Sequence, residues 1–176
     1  MRRSFLSSML IPGVVIAMVS LISCAGYRLE GRRPQALAHV KNIHIPLFEN
    51  KTLIPRGEAL ATNSVIDAIA SDGTYRIADD SSADAVLTGT VESISYDQVR
   101  ATRLDTLRSE ELENTITLNW ELRDAKNPLK LLAKGRASGT SRFAVDANLQ
   151  TARTSALPDA MQRAASQVAG RLTDDY

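Results

Sequence analysis

A single cysteine, Cys24, closes the apolar leader of this 176-residue chain, and it limits the fold more than any other feature. Arg2 and Arg3 supply a positive start, residues 9–19 are apolar, and Leu21-Ile22-Ser23-Cys24 ends the stretch. That layout is an export signal. A branched apolar residue three before the cysteine and a small residue just before it form the lipobox read by lipoprotein signal peptidases. The chemistry needs a thiol there, because a diacylglyceryl group joins sulfur before cleavage frees the amino group for a further chain. Two or more acyl chains anchor a protein stably, whereas one does so only marginally. An uncleaved transmembrane helix is the competing reading, since residues 4–22 nearly reach the ~20 a span requires. Pro12-Gly13 in its middle opposes that. A plain signal peptide with an incidental thiol would leave the cysteine's position unexplained.

With one cysteine there is no disulfide framework and no cysteine-cluster metal site, so the fold must stand on its core alone. Loss of residues 1–23 leaves 153 residues, enough for one well-packed domain. It also lowers the 21 basic residues to 19 against an unchanged 20 acidic ones. A chain so nearly neutral is not an electrostatic nucleic-acid binder. The expected layout is a cleaved signal over residues 1–23, a lipidated tether over 24–38 and one domain over 39–176. Tyr27-Arg28-Leu29 could add an early strand.

Within the domain, Ile43, Ile45 and Leu47 alternate with His44, Pro46 and Phe48, a strand period over residues 40–48. Pro55 then opens a helix to about residue 71, with Ala61, Val65, Ala68 and Ile69 on one stripe and Gly73 after its end. Residues 74–78 form a short strand. Residues 83–99 read as a long one whose phase slips near Ser93, from Leu87 and Val91 to Ile94 and Tyr96, which predicts a bulge. Residues 100–113 are polar and read as a hairpin tip or loop. Ile116, Leu118, Trp120 and Leu122 alternate cleanly with polar residues, the mark of a half-buried antiparallel strand. A turn over 124–128 leads to a return strand over 129–143 that Gly135 and Gly139 weaken or bend. A closing helix covers about 155–172, with Pro158 in its first turn. The fold class is α+β, a two-layer sandwich of two amphipathic helices packed on a small, mostly antiparallel sheet.

The residues offer no catalytic constellation, no metal site and no cofactor motif. His39 and His44 lack acidic partners at ligand spacing, no serine sits in a nucleophile elbow, and no glycine-rich phosphate loop is present. Cations are more suggestive. Arg100, Arg103 and Arg108 lie around the polar loop, and Lys130, Lys134, Arg136 and Arg142 lie along the return strand. They suit either a solvated sheet face or a row for a phosphate-bearing partner.

Cys24-Ala25-Gly26-Tyr27-Arg28-Leu29 resembles the mature start of the LptE family of lipopolysaccharide-assembly lipoproteins. Residues 43–52, from Ile43 to the Asn50-Lys51-Thr52 loop, resemble that family's first strand and following loop. Residues 58–69, 72–77, 83–89 and the Ala156-Leu157 helix continue the resemblance in order. It implies a non-enzymatic protein seated in the lumen of an LptD-type outer-membrane β-barrel, which helps the barrel assemble and deliver lipopolysaccharide. It also implies two helices on a small sheet, and lipopolysaccharide binding through basic residues, for which Lys130, Lys134 and Arg136 are the candidates. Ala25, in place of the aspartate that retains some lipoproteins in the inner membrane, points to the outer membrane. The alternative is a periplasmic lipoprotein of the curli-secretion-channel or peptidoglycan-synthase-activator type, which also carries a strand followed by Pro-x-Phe-x-Asn-x-Thr.

Overall fold

The computed structural model describes residues 34–100, 111–144 and 148–173. The signal, Cys24, the strand expected at Tyr27-Arg28-Leu29 and residues 101–110 of the polar loop lie outside them. After a 3-10 turn at Gln35–Leu37 come β1 (Asn42–His44), β2 (Glu49–Asn50), helix α1 (Gly57–Asp72) and β3 (Arg76–Ile77). A second 3-10 turn, Asp80–Ser82, precedes three long strands, β4 (Ala85–Arg100), β5 (Glu111–Asp124) and β6 (Leu131–Ala144), and then helix α2 (Leu149–Thr173). The strands form one six-stranded sheet in the order β3-β1-β4-β5-β6, with β2 also on β4. The long strands make an antiparallel meander. β1 pairs parallel with β3 and β4, and β2 parallel with β4. Helix α1 is therefore the crossover of a β-α-β unit, and the sheet is mixed. The expected two-layer α+β architecture is the one observed.

Apolar periodicity positions these elements. Ile116, Leu118, Trp120 and Leu122 all turn inward from β5 and are buried with Leu87 and Val91 of β4. Val65 and Ile69 of α1 and Met161, Val168 and Leu172 of α2 close over them. The phase slip expected near Ser93 is a bulge between Val91 and Ser93, with Glu92 the extra residue. Gly73 ends α1 in the left-handed conformation (φ 76°), its N–H donating to the Ile69 carbonyl. At the other end Arg56 takes φ 61° and the helix starts at Gly57 rather than at Pro55.

Several expectations are corrected. The strand expected over residues 40–48 is only three residues long, because Pro46 has no N–H for a ladder bond. The alternation breaks there: Leu47 is 65% exposed and Phe48 is buried. The Phe48 N–H donates to Thr62 Oγ1 (2.9 Å) instead of to a strand. Its ring occupies the place of a side chain at Gly89, where an added Cβ would lie 2.1 Å from it. Gly139 does not weaken β6. A Cβ there would stand 2.0 Å from the Ala160 carbonyl oxygen of α2, so glycine lets the helix backbone rest on the strand. Helix α2 starts before Pro158, which lies inside it. Asn148 caps the earlier start, its Oδ1 accepting the Thr151 N–H at 3.2 Å. At the far end, Tyr75 Oη–H donates to the Leu172 carbonyl (2.7 Å), satisfying one of the helix's last acceptors.

Candidate functional site: the helix-free face of the sheet

Residues that alternate with the core ones project from the other face of the sheet, which no helix among the described residues covers. The register sets two rows across it, Thr88–Glu121–Lys134 and Thr90–Asn119–Arg136. Together with Leu47 and Glu49 they line an open groove of about 810 Å³. Backbone at Gly89 and Gly135 forms part of its floor, since both glycines are backed by aromatic rings from the core side. Leu47 reaches the groove because Pro46 reversed the phase of the chain.

Electrostatics in the groove follow from pairing. Glu92 at the bulge accepts from Lys51 Nζ (2.9 Å) and Asn119 Nδ2 (3.1 Å). The Lys51 ammonium, helped by Arg136 at longer range, holds its carboxyl below the usual carboxylate range. Arg123 clamps Glu121 through Nε and Nη2 at 3.1 and 2.7 Å. Lys51, Arg123, Lys130 and Arg142 each pair with a carboxylate. Among the described residues Lys134 and Arg136 have no such partner, and both are exposed. The face thus presents two free cations beside an apolar Leu47, an arrangement that can hold a phosphate-bearing amphiphile.

The three cations proposed from the sequence do not stay together. Lys134 and Arg136 share the groove. Lys130 lies beyond a register shift between β5 and β6, where Leu131 faces Arg123 and Ala133 faces Leu122, so Leu132 is extra. That bulge breaks the even-numbered phase that a regular strand would give residues 130–136. Lys130 instead pairs with Asp124 (3.5 Å) at the β5–β6 turn. Sequence alone missed Glu92, Asn119 and Lys51. They meet across three different segments, and only the doublet of bulge and register brings them together. Asn50 and Thr52, prominent in the sequence, hold their loop: Asn50 Oδ1 accepts from the Thr52 N–H and hydroxyl, and Nδ2 donates to the Ile54 carbonyl and to Glu58.

Comparison with known proteins supports this fold. A hypothetical protein of Chlamydia trachomatis is similar with TM-score 0.53 at 8% identity, over 75% of this chain and 95% of its own. A protein of Xanthomonas campestris gives TM-score 0.51 at 13% identity, over 76% and 84% of the two chains. A minor lipoprotein of Acinetobacter baumannii gives 0.50 at 9% identity, over 77% and 94%. At such identities the likeness is one of fold alone. None of the curated proteins matches the chain in sequence. The family model for LptE, described as lipopolysaccharide-assembly, matches residues 40–172, which span the sheet, both helices and the groove, and so decides against the curli-channel and synthase-activator alternative. The chain belongs to the LptE lipopolysaccharide-assembly family.

Proposed function

We propose that this protein is an outer-membrane lipoprotein of the lipopolysaccharide translocon, seated within an LptD-type β-barrel whose assembly it assists. In this reading residues 1–23 are removed, Cys24 carries the acyl chains, residues 24–38 tether the domain, and the protein performs no catalysis. The observation that carries it is the family match across the whole folded domain. Lys134 and Arg136 on the helix-free face are the groups proposed to meet the lipopolysaccharide phosphates. Lys130, held in the turn by Asp124, stands apart from them.

Two experiments test the parts separately. Affinity purification of the lipidated protein from native envelopes is expected to recover a large LptD-type barrel. Recovery of a peptidoglycan synthase, or of a ring of the protein alone, would overturn the partner. For the ligand, Lys134→Glu with Arg136→Glu is expected to lower lipopolysaccharide binding about 10- to 100-fold, as loss of two charge-assisted contacts implies. Unchanged binding and unchanged outer-membrane permeability would remove the groove from the reading while leaving the barrel partner intact.

A further inference from the structure

The turn between β5 and β6 carries an exposed apolar side chain at its tip. Leu129 is 91% exposed, and Pro128 beside it is exposed as well. The turn is nevertheless firmly built. Asp124 Oδ1 accepts the N–H groups of Lys126 (2.9 Å) and Asn127 (3.3 Å), and Asn127 Oδ1 accepts that of Leu129 (3.3 Å). Arg123 Nη1 holds the Pro128 carbonyl at 3.0 Å, and the Ala125 N–H donates to the Asp84 carbonyl. Lys126 and Lys130 flank Leu129 on either side.

The turn also lies where the N-terminal segment joins the domain. His39 Nε2 is 4.0 Å from Asp124, and the Lys41 N–H donates to Asp84 (2.9 Å), the residue whose carbonyl holds the turn. Pro34 lies ten positions after Cys24, a stretch that at roughly 3.3–3.6 Å per residue spans no more than about 36 Å. Through His39 and Lys41 the turn sits against the stretch of chain that leads in from Pro34.

We propose that the β5–β6 turn is a membrane-surface contact: Leu129 inserts into the anionic leaflet that holds the lipid anchor, with Lys126 on the phosphate groups at its rim and Lys130, on its Asp124 partner, at headgroup level. An apolar tip between two lysines has the composition that interfacial contacts use, an apolar part in the acyl boundary and cations at headgroup level. This rests on the reading that Cys24 carries lipid, and it is compatible with a barrel partner if the anchored end stands at the barrel's periplasmic mouth. The contact would fix the orientation of the domain relative to the leaflet, which acyl chains on Cys24 alone do not do.

The test uses the lipidated protein in vesicles of phosphatidylethanolamine and phosphatidylglycerol. Leu129→Cys is spin-labelled, the apolar label standing in for leucine, and Leu53→Cys, at a site 99% exposed in a different loop, is the comparison. Acylation leaves no free thiol at Cys24. The label at 129 is expected to be shielded from a water-soluble nickel relaxant and open to oxygen, and the label at 53 the reverse. Lys126→Gln is expected to lower the inserted population roughly fivefold, the effect of one lysine near an anionic surface. Equal access of the nickel reagent to both labels overturns the contact. Shielding at 129 that arises in native envelopes but not in pure lipid also overturns it, in favour of a protein partner. Mass spectrometry of Cys24 tests the anchor independently. If no acyl chains are found, the labels are repeated on a Cys24→Ser background with added vesicles, where shielding at 129 still upholds the contact and its absence still overturns it.

Discussion

At Gly139 the backbone of α2 rests on β6 with no side chain between them, so this residue sets how closely the two layers approach. A methyl group there would meet helix backbone at 2.0 and 2.5 Å, atoms that cannot rotate away. Gly139→Ala is therefore expected to destabilise the domain by about 3 kcal/mol, at the upper end of what overpacking costs. Gly73→Ala, where nothing lies within 4 Å but φ is 76°, is expected to cost only about 1 kcal/mol. Urea denaturation of the two variants measures both, and equal losses would show that the close approach is not what Gly139 provides. Read from the sequence, a glycine in a strand signals weakness or close approach without choosing between them. The choice depends on Ala160 and Ala164, which lie 21 and 25 residues further along the chain. Pro46 is a similar case. Its lack of an N–H is legible, but that Phe48 would then turn inward over Gly89 is not.

Among the elements, α2 departs most from its sequence pattern. The apolar stripe that includes Leu157, Met161, Val168 and Leu172 marks the helix from about residue 155, and Pro158 argues for a start nearby. Asn148 starts it earlier, so the proline falls ten residues in and leaves the Thr154 carbonyl without its helical donor. Replacing Pro158 with alanine is expected to raise stability by about 1–3 kcal/mol, since proline in a helix interior costs up to about 3 relative to alanine. Thermal unfolding measures it, and a loss would mean that the helix depends on a bend at this point to follow the sheet. The strands show the opposite balance. The bulge at Glu92 is legible because two apolar phases on either side of it disagree. The bulge at Leu132 is not, because Leu131, Leu132 and Ala133 are all apolar and carry no phase. That silent bulge separates Lys130 from Lys134 and Arg136.

For the whole molecule, the domain's N-terminal limit depends on packing rather than on composition. Residues 34–38 look like tether, yet Leu37 is buried in the core beside Val40, which is fully buried. A chain begun at Lys41 would lose both side chains. It is expected to be roughly 3–6 kcal/mol less stable than one begun at Pro34, at about 1.5–3 kcal/mol for each core side chain. Chemical denaturation of the two truncated chains checks this, and equal midpoints would return Leu37 and Val40 to the tether.

The sequence by itself determined the two amphipathic helices, the inward face of β5, the bulge at Glu92 and the family, because each is written in local periodicity or in residue order. It also determined that no disulfide could brace the fold, with one cysteine in the chain. Only the tertiary structure decided that the short strands run parallel, that Lys134 and Arg136 share a groove with Leu47 and Glu49, and that the β5–β6 turn stands beside His39. Those relations are set by strand register and by contacts between residues 27 to 97 positions apart, such as Asn119 with Glu92 and Tyr75 with Leu172. A hydrophobic pattern states which side of an element is buried, and it carries no information about which other element that side will meet.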